Sequence, residues 1–379
     1  NKHRFEAMWP LPYGVSYNSY LIDDEMVALV DTVDICYFEV YLRKIKQVIG
    51  ERPINYLIIN HMEPDHSGSI RLIKQHYPEI IIVGNKQTFG MIEGFYGVTG
   101  EQYLVKEGDF LALGHHKLRF YMTPMVHWPE TMMTFDETDG VLFSGDGFGC
   151  FGTVDGGFLD TRINVDKYWG EMVRYYSNIV GKYGSPVQKA LQKLGGLPIS
   201  AICSTHGPVW TENIAKVIGI YDRLSRYDAD EGVVIAYGSM YGNTEQMAEA
   251  IAEELSAQGV KNIVMHNVTK SHPSYIIADI FRYKGLIIGS PTYSNQIFPE
   301  VEALLSKILL REVKGRYLGY FGSFTWAGAA VKRLAEFAEK SKFELVGDPV
   351  EMKQAMKDLT YTQCENLARA MADRLKKDR

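Results

Sequence analysis

The chain has 379 residues, 46% of them hydrophobic and 23% charged, the balance of a globular protein too long for one ordinary core, so two domains are expected. A formal charge of −6 gives no electrostatic reason for nucleic acid or an anionic membrane as partner, and no apolar run approaches the roughly 18 residues that cross a bilayer. The four cysteines, Cys36, Cys150, Cys203 and Cys364, form no C-x-x-C pair, which argues against a disulfide framework, a zinc ribbon or a rubredoxin-type iron site and suits a reduced cytoplasm. The start, Asn1-Lys2-His3-Arg4-Phe5, has neither an initiator Met nor a signal-like apolar core, leaving room for residues before it.

In chain order, strands are expected at residues 27–30, 54–59, 80–83, 118–122, 132–135, 141–144 and 199–204. Helical apolar spacing falls at 38–48, 166–180 and 214–227. Mixed strands with flanking helices fit an αββα sandwich. The charged stretch 226–231 then breaks the pattern and is read as a linker, giving domains at 1–228 and 232–379. Beyond it the alternation is regular: strands at 233–237, 262–266, 285–289, 317–321 and 343–346, helices at 245–258, 274–282, 301–310, 330–340 and 362–377. Five parallel strands, doubly wound, make a flavodoxin-like domain.

The densest chemistry lies in Asn60-His61-Met62-Glu63-Pro64-Asp65-His66-Ser67-Gly68, between the strand at 54–59 and a short helical stretch that Ser67 or Ser69 is placed to cap. Four ionisable side chains in six residues would repel and desolvate one another unless a cation held them. A solvated polar turn would explain any one of them, but not all four. Three further candidates, His127, Asp146 and His206, each follow an apolar run. Four imidazoles and three carboxylates are too many for one metal ion and about right for two, with a carboxylate such as Asp146 able to bridge. Imidazole and carboxylate without thiolate suit iron, manganese or zinc, and the hard carboxylate oxygens tilt the choice toward iron.

Parallel sheets of the second kind bind ligands beyond the strand C-termini. The loop Gly238-Ser239-Met240-Tyr241-Gly242-Asn243-Thr244 runs into a helix, whose bare N–H groups and dipole can hold a phosphate. Two later loops, Ser290-Pro291-Thr292-Tyr293-Ser294-Asn295 and Gly322-Ser323-Phe324-Thr325-Trp326-Ala327-Gly328, carry aromatics able to flank an isoalloxazine ring. Turn formation alone would explain one such loop. No G-x-G-x-x-G with a downstream ribose acid occurs, which argues against NAD on this domain.

The motif His61-x-Glu63-x-Asp65-His66, followed by His127, Asp146 and His206, resembles the metallo-β-lactamase superfamily core, and Glu63 where its zinc hydrolases carry His resembles the flavodiiron proteins. Tyr17-Asn18-Ser19-Tyr20, Val30-Asp31-Thr32-Val33, His127-Trp128-Pro129 and Ser204-Thr205-His206-Gly207 match as well, and 239–244 resembles the FMN-phosphate loop of flavodoxins. The resemblance covers nearly the whole chain. It implies a soluble oxidoreductase in which FMN feeds a bridged pair of irons that reduces dioxygen to water or nitric oxide to nitrous oxide. On the family pattern His61, Glu63, His127 and Asp146 would hold the iron nearer the flavin, and Asp65, His66, Asp146 and His206 the other. It further implies a separate electron donor, such as rubredoxin or a reduced deazaflavin, and a head-to-tail homodimer or a dimer of dimers.

Around that core, Tyr175 and Tyr176 match a stretch that places a Tyr near the metals, with helical packing as the competing reading. Asp31 is expected to support the ligands rather than join them. Trp326 would lie against the flavin or in a core. His3, His76, His115, His116, His266 and His272 are taken as structural. Many members carry a His near the substrate pocket, and residues 5–12 here contain none. A zinc-dependent, thioesterase-like hydrolase and a non-enzymatic flavodoxin-like carrier are the alternatives; iron content and gas consumption separate them from the reductase.

Overall fold

The computed structural model describes residues 4–378; residues 1–3, His3 among them, and residue 379 lie outside that range. The chain divides after Ser225 into two compact units, and the four cysteines are free thiols.

The first unit contains two five-stranded sheets. One runs in the spatial order Tyr20–Ile22, Ala28–Val30, Tyr56–Ile58, Ile81–Gly84, Gln102–Leu104. The other runs Ala201–Ser204, Val141–Gly145, Met132–Asp136, Lys117–Met122, Phe110–Ala112. Because side chains alternate across a strand, Ala28, Val30, Ile58 and Val83 of the first sheet share a core with Leu118, Phe120, Met132 and Phe143 of the second. Val27, Leu29, Leu57 and Ile82 point the other way, onto Phe38, Leu42 and Ile45 of helix Phe38–Ile49 and onto Ile70, Ile73, Phe89 and Ile92. Both faces of these strands are therefore dry, and the helix–sheet–sheet layering is that expected of an αββα sandwich.

Several elements depart from the sequence expectation. The helix at 166–180 is α-helical only over Asp166–Tyr175 and continues as a π-turn over Tyr176–Val180. There Ser177 Oγ and Asn178 Nδ2 donate to the Arg174 carbonyl, at 3.2 and 2.8 Å, in competition with the α-ladder. Ser69 occupies the N-cap position of helix Ile70–His76, but neither serine side chain caps it: Ser67 Oγ donates to the Met62 carbonyl and Ser69 Oγ to that of Val33. Helix Lys86–Tyr96 was masked by Gly90 and Gly94, although Asn85 caps it through the N–H groups of Gln87 and Thr88.

In the second unit the parallel strands lie in the order Ile263–Asn267, Asp230–Tyr237, Tyr283–Tyr293, Tyr317–Phe324, with a fifth position at the edge. That edge is not the single strand expected at 343–346. It is split into Glu344–Leu345 and Val350–Lys353, with Gly347 at φ 71° in the break. The expected linker also ends early, since Asp230 already pairs with Tyr283. Arg316, 1% exposed, fastens this region by donating to the carbonyls of Tyr227, Ile280, Phe281 and Lys314. Among the described residues no helix is long and apolar enough to cross a membrane.

Candidate metal centre and flavin-binding loops

In the first unit each ligand candidate leaves the C-terminal end of a strand. Strand Tyr56–Ile58 runs into the loop bearing His61 and Glu63, and the turn Pro64–Ser67 carries Asp65 and His66. Asp31 shapes this loop by accepting the Asn60 N–H at 2.8 Å, and it stands outside the ligand groups, as expected. His127, Asp146 and His206 follow Lys117–Met122, Val141–Gly145 and Ala201–Ser204. The turn after His206 needs glycine: Gly207 has φ +90°, and a Cβ there would lie 2.4 Å from Cys150 Sγ.

The candidates gather into two sets, His61, Glu63, His127, Asp146 and Asp65, His66, His206. Asp146 joins them. Its Oδ2 lies 3.2 Å from His127 Nε2 and 4.0 Å from His61 Nε2, while its Oδ1 lies 3.0 Å from His66 Nε2 and 3.5 Å from His206 Nε2. Glu63 Oε2 sits 3.1 Å from His127 Nε2, and Asp65 Oδ2 3.3 Å from His206 Nε2. Each set thus has its own carboxylate and a share of Asp146.

These groups are buried, and their polar atoms are not satisfied within the protein. His61 Nε2, His66 Nε2, His206 Nε2 and both oxygens of Asp65 have no hydrogen-bond partner, an arrangement that is costly unless a cation fills the space between them. With protons as the only cations, burial pulls the imidazoles down, but Glu130 and Glu63 hold His61 up at about 9 and Asp65 and Asp146 hold His66 up at about 9. His127 rises to about 10 against burial, through Asp146 and Glu63. Against burial, the imidazoles hold the Asp146 and Glu63 carboxyls below the usual range. The donor set fits two metal ions.

Tyr175, fully buried, donates to Asp146 Oδ2 at 2.8 Å, and Thr205 Oγ1 donates to Oδ1 at 2.5 Å. Tyr176 instead packs edge-on against Tyr221. Sequence reasoning missed two neighbours. Glu130 accepts from His61 Nδ1 at 2.7 Å, and its place directly after His127-Trp128-Pro129 was an available signal. Glu6 stands in the segment without a histidine, at the tip of the hairpin Arg4–Phe5/Trp9–Pro10; desolvation and the adjoining Glu63 carboxylate raise its carboxyl to about 7. The remaining described histidines have structural surroundings: His76 packs on Phe38, exposed His115 lies edge-on to His116, His116 and His266 pair with Asp136 and Asp279, and His272 caps helix Pro273–Arg282.

In the second unit the three loops leave neighbouring strands whose register aligns Tyr237 with Gly289 and Gly289 with Phe321. Gly242, at φ +90°, opens helix Asn243–Ala257 and donates to Ser239 Oγ. Several hydroxyls in the set hold the loops themselves: Thr244 Oγ1 bonds Ser323 Oγ at 2.9 Å, Ser290 Oγ accepts from Phe298 N, and Thr292 Oγ1 accepts from Ala329 N and Ala330 N. Met240, Tyr241, Tyr293 and Trp326 stay exposed, Tyr241 at 90% and Trp326 at 82%. A helix N-terminus ringed by unburied aromatics fits a phosphate-bearing planar ring. Pro291, Asn295, Phe324, Thr325, Ala327 and Gly328 lie in the same loops.

A buried carboxylate-bridged histidine cluster and a doubly wound unit with a phosphate loop define a two-part metalloflavoprotein. Residues 15–207 match the ODP family beta lactamase and residues 235–366 match flavodoxin. The chain is 33% identical over 336 residues to the anaerobic nitric oxide reductase flavorubredoxin of Vibrio vulnificus, an alignment covering 87% of this chain and 68% of that protein. It superposes on rubredoxin oxygen:oxidoreductase of Desulfovibrio gigas with a TM-score of 0.94 at 31% identity, covering 98% and 94% of the two chains. On the flavodiiron protein of Giardia intestinalis the TM-score is 0.92 at 26% identity, covering 100% and 94%. The chain belongs to the flavodiiron family: it is an oxidoreductase with FMN and a non-haem di-iron centre as its cofactors.

Proposed function

We propose that this chain takes electrons from a separate donor and uses them to reduce dioxygen to water, nitric oxide to nitrous oxide, or both. One arrangement carries the reading: Asp146 turns an oxygen toward each of two buried groups, in which His61 Nε2, His66 Nε2 and His206 Nε2 have no hydrogen-bond partner. The relatives are named for both gases, and the Desulfovibrio protein for rubredoxin, so rubredoxin or a reduced deazaflavin is proposed as donor. A head-to-tail homodimer, or a dimer of such dimers, in a reducing cytoplasm completes the proposal.

FMN would supply electron transfer there, and a metal pair would supply gas binding and reduction. The chain's own residues set the stage for that chemistry. His61, Glu63 and His127 with Asp146 would hold one metal, and Asp65, His66 and His206 with Asp146 the other. Tyr175 and Thr205 each donate a hydrogen bond to an oxygen of Asp146, which fixes the shared carboxylate between the two sets. Glu6 brings a second carboxyl to Glu63, in the segment 5–12 that lacks the histidine many family members carry there. The loops 239–244, 290–295 and 323–328 would cradle FMN, with Gly242 opening the phosphate end and Trp326 flanking the ring.

The test is anaerobic purification with metal and flavin analysis, followed by dioxygen and nitric oxide consumption with photoreduced or rubredoxin donor. About two irons and one FMN per chain with turnover of either gas is the expected result. Zinc in place of iron, with neither gas consumed, would move the chain to the hydrolases.

A further inference from the structure

Behind the ligands lies a carboxylate that belongs to neither set. Glu130 is fully buried. Its Oε1 accepts from His61 Nδ1 at 2.7 Å and from the Met62 N–H at 2.9 Å. Its backbone carbonyl accepts from Asn85 Nδ2 at 2.6 Å, and Asn85 Oδ1 caps helix Lys86–Tyr96. Glu130 is thus tied at both ends to rigid structure, while its Oε2 is buried with no hydrogen-bond partner.

The other metal position is backed differently. His206 Nδ1 donates to the Ser16 carbonyl at 2.8 Å, a neutral acceptor, and His66 Nδ1 has no partner. A buried carboxylate with one oxygen unpartnered is expensive unless a cation lies nearby, and the ring of His61 connects it to the first ligand set. An imidazole whose Nδ1–H is held by a carboxylate is locked in one tautomer and is a more basic ligand through Nε2.

We infer that Glu130 is a positioning residue that fixes His61 Nε2 on the first metal position and makes that position the more electron-rich of the two. The inference rests on the di-iron reading. A carboxylate as the Nδ1 acceptor of His61, where His206 has a neutral carbonyl, favours the ferric state at the His61 position. The two irons are therefore inequivalent although their direct ligands are nearly alike.

The experiment loads wild type, Glu130→Gln and Glu130→Ala with ferrous iron anaerobically. It measures iron affinity against a chelator and the ferrous-to-ferric ratio at a fixed mediator potential by Mössbauer spectroscopy. Glutamine keeps an oxygen for both donors but removes the charge. Glu130→Gln should hold two irons, yet raise the ferrous-to-ferric ratio of one of them about tenfold. Glu130→Ala should lose about 10–100-fold in affinity for one iron. A Gln variant with the wild-type ratio overturns the electronic role, and an Ala variant with wild-type affinity overturns the positioning role. If Ala fails to fold, judged by thermal unfolding of the metal-free protein, the Gln ratio decides alone. Wild type that fails to bind two irons would instead overturn the di-iron reading.

Discussion

The phenol of Tyr175 donates to Asp146 Oδ2 across 2.8 Å, so the carboxylate shared by both ligand sets is held from outside by a side chain with no access to solvent. Tyr175 also packs on Phe151 and His206, with ring centroids 5.1 and 5.8 Å apart. Tyr175→Phe preserves that packing and deletes one hydrogen bond to a charged group, a loss of about 1.5–3 kcal/mol. Iron content should stay at the wild-type level while gas turnover falls roughly tenfold or more. Unchanged turnover with full iron would reduce Tyr175 to a packing residue.

Asp146→Ala removes a side chain that reaches both sets. The four imidazoles then face one another with two carboxylates left between them. Total iron should fall from about two per chain to less than one, because neither half keeps a complete set. Elemental analysis after anaerobic reconstitution reads this directly. An Ala variant that retained both irons would show that bridging is dispensable.

Acid–base behaviour should differ between the metal-free and loaded protein. In the metal-free chain His61 and His66 titrate near 9 and His127 near 10, all above their ordinary value. Groups raised on folding stabilise fully below the unfolded value and cease to do so as pH rises through the folded one. The metal-free protein should therefore lose thermal stability between about pH 6.5 and 10. Metal competes with those same protons, so metal affinity should climb over the same range, and loading at pH 7 should release protons. Titration in weak buffer with a pH electrode checks the sign; loading without proton release would contradict it.

Trp326 is 82% exposed in the loop after strand Tyr317–Phe324. Removing an exposed side chain costs the fold little, but it would take an aromatic face away from the flavin. Trp326→Ala should weaken FMN binding about threefold to tenfold, from about 0.5–1.5 kcal/mol of ring contact, with melting of the flavin-free protein unchanged. Quenching of FMN fluorescence on titration measures it. Equal affinity in both proteins would remove Trp326 from the site.

Legibility from sequence followed the locality of each signal. The cluster from His61 to His66 was readable because six consecutive residues carried four candidate ligands, and the apolar runs before His127, Asp146 and His206 put them at strand ends. The place of Glu130 beside His127-Trp128-Pro129 signalled nearness to the site, but not its pairing with His61, since contact between residues 69 apart depends on how two loops fold back on each other. Glu6 escaped for the same reason, its relation to Glu63 existing only once the hairpin closes. The caps proposed for Ser67 and Ser69 failed because tertiary acceptors, the carbonyls of Met62 and Val33, outcompeted the local helix N–H groups. The π-turn after Tyr175 likewise depends on side-chain competition that helical periodicity does not register.

The ligands are drawn from both sheets of the sandwich, His61 to His66 from one and His127, Asp146 and His206 from the other. No short stretch of the nascent chain beyond His61–His66 could capture metal with comparable strength. The complete centre therefore exists only once both sheets are packed and aligned. Metallation is then a closing event, a clasp set across the open ends of two finished layers. Its loss should free those ends selectively, with faster amide exchange at the loops after residues 58, 122, 145 and 204 and little change in the strands behind them.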